Sequence, residues 1–292
     1  MNKDIVLTEL QIDEIRRIAD KERKYFGVID APIARDLFML IEQEGIAICQ
    51  YPFPFDSKSH IDANIIRIEN ENDQMIFIGL NTSIPYDEQL FALAHELYHH
   101  ITKTGKSYET SIDKEGLLTE KMADRFAAEL LLPSEVLNHI IITQFKTNSL
   151  KKVSDLRLLR FIARLQSEWW LPYRALVIRL KEEKYISENQ TEILLGIDDR
   201  DRESIYGKIF SSTDSDCFTK LNTRTNKIDV SNWVLETCIM NYEDGILSED
   251  GFVKIINLFG KKSDDFGFDL TIDNSDLDEL NQLLNDGDSD ES

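Results

Sequence analysis

Two histidines four residues apart bracket a glutamate in the string His95-Glu96-Leu97-Tyr98-His99. On a helix such residues stand one turn above each other on a single face, so both imidazoles can reach one divalent cation. Glu96 projects beside that face, within reach of a water held by the cation, and is the candidate general base. Leu90, Phe91, Leu93, Ala94 and Leu97 predict a helix buried on most sides, unlike a solvated helix that merely carries two surface histidines. His100 points about 100° away from His99 and reads as a surface or supporting residue.

A hydrolytic zinc site takes three protein ligands and leaves a fourth position to water. Taken alone, Glu120 and Asp124 are ordinary outward acids of an amphipathic helix whose other face is Met122, Phe126, Ala127, Leu130 and Leu131. Twenty residues separate His99 from Glu120, enough to end one helix, turn, and bring a second back across it. Glu120 is therefore the candidate third ligand. Asp124, one turn further on, is the candidate acceptor for the second N–H of a liganding histidine. The expected cofactor is Zn²⁺, with Mn²⁺ or Fe²⁺ as alternatives, because two histidines and a carboxylate accept several divalent ions.

The elements that must position these groups follow from hydrophobic spacing. Helices are expected over Thr8 to Lys24 and Pro32 to Glu44, the latter stopped by Gly45. Three strands of one small sheet follow, at Ile46 to Phe53, Ala63 to Glu69 and Met75 to Leu80. Asn81-Thr82-Ser83 offers capping side chains to a helix from about Pro85 to Lys103, which Gly105 terminates; another helix ends at Leu132, before Pro133. This order argues an α+β unit over residues 1–145. Residues 146–190 suggest two helices, Ser154 to Trp169 and Pro172 to Glu183, in a helix-turn-helix outline. Residues 191–263 read as mainly helical, with segments at Asn232 to Tyr242 and Ser248 to Phe259. Residues 264–292 carry eleven acids and no base, and the last eight read as disordered.

Lys and Arg number 33 against 54 Asp and Glu, a formal charge of −21, which opposes binding of a phosphate backbone. The exception is the stretch from Phe145 to Lys184, with ten basic and four acidic residues. A solvated basic face is the expected reading there, and direct DNA binding is not expected. Cys49, Cys217 and Cys238 are odd in number and widely spaced, so neither a disulfide framework nor a thiolate cage is indicated. No apolar run reaches membrane-spanning length and the first thirty residues lack a secretion signal, so a cytoplasmic protein without membrane contact is expected.

The strings ALAHELYHH (Ala92 to His100) and EKMADRFAAELLLP (Glu120 to Pro133), preceded by MIFIGLN (Met75 to Asn81), resemble the ImmA/IrrE family of bacterial metallopeptidases. The resemblance covers about residues 15 to 185, and its spacing is similar to that of thermolysin-like enzymes. It implies a zincin-like domain with His95, His99 and Glu120 as zinc ligands and Glu96 as catalytic base. It also implies a zinc endopeptidase that cuts a helix-turn-helix repressor and so derepresses stress-response or mobile-element genes. WWLPYRALVIRL (Trp169 to Leu180) is similar to the helical element that follows the family's peptidase core. Where the family commonly has a basic residue before the active-site helix and a glycine in HELGH, this chain has Asp87-Glu88-Gln89 and Tyr98; Tyr98 is expected to narrow the cleft.

Two other classes of function stay open. One is a regulatory DNA- or repressor-binding module with a non-catalytic metal site, acting through residues 146–184. The other is a partner in a toxin–antitoxin or phage-defence pair. Tyr98, Tyr108 and His139 are candidate oxyanion donors, each of which reads more readily as a packing or surface residue.

Overall fold

Thr8 opens the first helix with a reciprocal cap: its hydroxyl accepts the Gln11 N–H, and the Gln11 side chain accepts the Thr8 N–H. In the computed structural model, which describes residues 6–53, 61–69, 74–104 and 114–268, this helix is α1 (Glu9–Tyr25). There follow α2 (Leu37–Gln43), β1 (Ile46–Tyr51), β2 (Ala63–Glu69), β3 (Gln74–Asn81), α3 (Tyr86–Thr102), α4 (Lys114–Leu131) and α5 (Ser134–Phe145). Next come α6 (Asp155–Trp169), α7 (Tyr173–Glu182), α8 (Glu188–Leu195), α9 (Ile205–Thr213), α10 (Ser215–Asn222), β4 (Asp229–Val230), α11 (Asn232–Glu243) and α12 (Glu249–Leu258). The fold is α+β, as expected. Gly105, Tyr108 and the acidic tail beyond Phe268 lie outside the described residues.

The chain divides into two compact units, Met1–Ser231 and Asn232–Ser292. In the first, the sheet order is β2-β3-β1-β4. β1 runs parallel to β3, while β2 and β4 are antiparallel to their neighbours. The register aligns Ile48, Ile78 and Ile65 across three strands, and all three are buried. Their shared face lies in the hydrophobic core. β4 is a two-residue strand at the opposite edge, too short to leave a periodic signal; beside it the Ser231 hydroxyl accepts the Ile48 N–H.

Two details depart from expectation. The chain from Pro32 becomes α-helical only at Leu37, after a short 3₁₀ turn over Ala34–Asp36. Asn81 and Ser83 do not cap α3, whose N-cap is Pro85 without a side-chain bond. Asn81 instead closes its own turn, its Oδ1 accepting the Ser83 and Phe53 amides.

The start of α3 is fixed by a buried polar chain. Asp87, fully buried, accepts from Gln166 of α6 at 2.8 Å and from Arg200 at 2.9 Å, while Gln166 in turn accepts from Tyr206 of α9 at 2.7 Å. Burying the Asp87 carboxylate is costly, and desolvation pushes it up to about 6 despite the Arg200 guanidinium.

In the second unit α11 packs on α12, with Tyr242 stacked on Phe252 at 4.7 Å and Phe268 edge-on to both rings. Among the described residues no single helix is long and apolar enough to cross a membrane. The bent pair formed by Glu115–Leu131 and Ser134–Phe145 passes that test together, but its apolar residues Phe126, Leu130, Leu137 and Ile141 are buried in the core.

Candidate metal centre

α3 and α4 pack against each other through short and aromatic side chains. Ala94, Ala123 and Ala127 are fully buried, and the Tyr98 ring sits 5.4 Å from Phe126. Near that contact the structure brings four sequence-predicted side chains together. His95 Nε2 is 3.1 Å from Glu120 Oε2 and 3.2 Å from His99 Nε2, and His99 Nε2 is 3.5 Å from Glu120 Oε1. Donor atoms of all three residues lie within 4.8 Å of one another, a group that could hold a metal ion. A tetrahedral site with bonds of about 2.0–2.1 Å separates its ligand atoms by roughly 3.3 Å. Two imidazoles and a carboxylate at these separations fit a divalent cation.

Hydrogen bonds on the far side of each ring set which nitrogen is free. Asp124 Oδ1 lies 3.0 Å from His95 Nδ1 and, as an acceptor only, places the ring proton there. The Thr102 hydroxyl donates to the Tyr98 carbonyl at 2.8 Å, so the Thr104 hydroxyl, 2.6 Å away, donates to Thr102. Thr104 Oγ1 is then left to accept from His99 Nδ1, 3.1 Å away. Both Nε2 lone pairs are thereby turned toward Glu120. Sequence reasoning missed Thr104; Lys103, at a φ of 56°, ends α3 and folds the chain back so that Thr104 reaches the ring.

The charges of the cluster support one another. Burial pulls the His95 imidazole down, but hydrogen bonds to Asp124 and Glu120 outweigh it and lift it to about 10. Hydrogen bonds from His95 and His99 hold the Glu120 carboxyl well below the usual range. Glu96 is buried, which raises its carboxyl, with the nearby His95 and His99 opposing the rise. Its Oε2 accepts the Ile65 N–H at 2.9 Å, a bond to edge strand β2 that spacing along the chain cannot reveal. Arg67, two residues further on β2, donates to the His99 carbonyl at 2.6 Å. His100 is half-buried and stands outside the convergent set; burial, then Lys103 and Arg67, lower its imidazole.

His95, Glu96, Glu120 and Asp124 open onto a cleft of about 460 Å³. One side is β2 with the residues before it, including Ile61 and Ala63; the other is α7, through Ala175 and Ile178. The second helix of the helix-turn-helix outline is thus a wall of this cleft. At the same end of the cleft, Arg125 and Arg179 are buried among Glu129, Glu182 and Glu183, with Arg125 2.8 Å from Glu182 and Arg179 paired with Glu129. Part of the basic stretch therefore neutralises acids inside the protein. The expectation that Tyr98 narrows the cleft is not met. It is buried between Phe126 and His99 and does not line the cleft, and neither does His139, which is exposed on α5.

A metal-fitting pair of helices packed beside an edge strand defines a metallopeptidase-like α+β domain. Residues 41–181, somewhat under half of the chain, match the model of the family described as IrrE N-terminal-like domain, Peptidase_M78, so this segment is similar to that peptidase family. No curated protein matches the chain.

Proposed function

We propose that the protein is a zinc-dependent endopeptidase acting on a protein substrate, with His95, His99 and Glu120 as ligands and Glu96 as general base. The observation that carries this reading is the convergence of three donor atoms within 4.8 Å beside Glu96, at the mouth of an open cleft. A divalent cation held there supplies Lewis acidity, acidifying water and polarising a peptide carbonyl. Glu96, anchored through Oε2 to the Ile65 amide, takes a proton from the attacking water on its other oxygen and returns it to the leaving amine. Its raised affinity for protons suits both halves of that transfer. Asp124 and Thr104 hold the ring tautomers while this happens.

The substrate that the family resemblance favours is a helix-turn-helix repressor, whose cleavage derepresses stress-response or mobile-element genes in the cytoplasm. A role as a partner in a toxin–antitoxin or phage-defence pair is the second reading on the same resemblance. The DNA-reading module is disfavoured, because α7 faces the cleft and its Arg179 is consumed in a buried ion pair with Glu129. Incubating the protein with the repressor encoded beside its gene, with and without chelator, tests the proposal. Cleavage is expected only in the chelator-free sample. The Glu96→Gln protein should keep its metal and lose about 10²–10⁴-fold in rate; undiminished cleavage by it would refute the assigned base.

A further inference from the structure

Outside the metal-site cleft, one groove gathers several of the chain's cations. α6 is amphipathic, with Leu158, Ile162 and Leu165 buried and Arg157, Arg160 and Arg164 exposed along the opposite side. Those three arginines, with Lys208 of α9 and the Ser212 and Thr213 hydroxyls, line an open groove of about 710 Å³. Among the described residues no acidic side chain lines it. Arg157 lies over the Phe145 ring at 4.9 Å, and Lys208 pairs with Glu203 at 3.4 Å. Arg160 and Arg164 make no ion pair among the described residues, although Glu168 lies one turn from Arg164. In a chain of charge −21, two unpaired arginines side by side repel each other without a local counter-ion.

We infer that this groove is a docking surface for an acidic segment of a partner protein. The arginines recur at i, i+3 and i+7, spanning about 10 Å of helix axis. Carboxylates on alternate residues of an extended peptide recur about every 6.7 Å, and those one turn apart on a helix about every 6 Å. Each guanidinium can fork onto one such carboxylate, while the Ser212 and Thr213 hydroxyls across the groove already donate to the Ile209 carbonyl. Nucleic acid fits less well. Among the described residues no aromatic side chain lines the groove to stack bases, and a duplex would carry its charge beyond the groove over a strongly acidic chain. The surface is separate from the metal-site cleft, with which it shares no lining residue, and it does not depend on the peptidase reading.

Fluorescence anisotropy of the full chain with a labelled decapeptide of alternating Glu and Ser tests this. Saturable binding is expected at about 50 mM salt, weakening several-fold by about 200 mM. Charge reversal by R160E/R164E should weaken it at least about tenfold, whereas K151E/K152E, with the same change in net charge outside the groove, should have little effect. If the reversal lowers the thermal midpoint, R160Q/R164Q decides in its place, with about a fivefold loss expected. Absence of saturable binding at low salt, equal losses in the groove and control variants, or tighter binding of a DNA oligonucleotide than of the peptide would overturn the inference.

Discussion

The His99 imidazole and the Thr104 hydroxyl stand 3.1 Å apart, and because Thr104 spends its own proton on Thr102, the ring must donate from Nδ1. Replacing Thr104 by valine keeps the shape and removes the acceptor. Competition with a chelating dye should then show metal affinity lowered about 10–100-fold, with the fold intact by circular dichroism. Unchanged affinity would show that the hydroxyl chain does not orient His99.

How much of this site can be seen in the sequence depends on whether its parts are periodic. His95 and His99 share a helix face, and Glu120 and Asp124 share another, so their spacing alone places each pair. The expected strands are found within two residues of their expected ends because each is a short run of β-branched and aromatic residues bounded by turn-forming ones. Thr104 and the Ile65 amide leave no such trace: one acts through a left-handed turn at Lys103, the other through backbone. Helices α8 to α10 escape notice for a related reason. Each is under ten residues, too short for an apolar stripe to repeat more than twice. The buried pairing of Arg179 with Glu129 is equally invisible, since a charge run reads as solvated until a partner on another element is known.

Ile178 of α7 faces the cleft opposite β2. Placing a carboxylate there with Ile178→Asp should raise KM for a peptide substrate several-fold while leaving metal content unchanged, because the substitution alters uniform binding rather than the reacting groups. Steady-state kinetics that show an unaltered KM would remove α7 from the substrate path.

A fully buried carboxylate, Asp87, and a partly buried one, Glu183, make opposite contributions to stability in acid. For Glu183, burial opposes ionisation, but Arg179 and Arg125 outweigh it and hold the carboxyl at about 2, below its ordinary 4.5. Its stabilisation is complete above pH 4.5 and is lost as pH falls toward 2. Asp87 is raised from 3.8 to about 6, so the folded state binds its proton more readily; its destabilising contribution is present above pH 6 and fades as pH falls through that window. Thermal midpoints of the chelator-treated protein should therefore drop more gently with acid in E183Q, and more steeply between pH 6 and 4 in D87N. Parallel curves for both variants and the parent would contradict these assignments.

The central claim is that one ion sits between His95, His99 and Glu120, and metal content measured by mass spectrometry of the purified protein tests it most directly. About one divalent ion per chain is predicted for the parent and for Glu96→Gln, and almost none for His95→Ala, His99→Ala or Glu120→Ala. Full metal content in a folded Glu120→Ala protein would contradict the account.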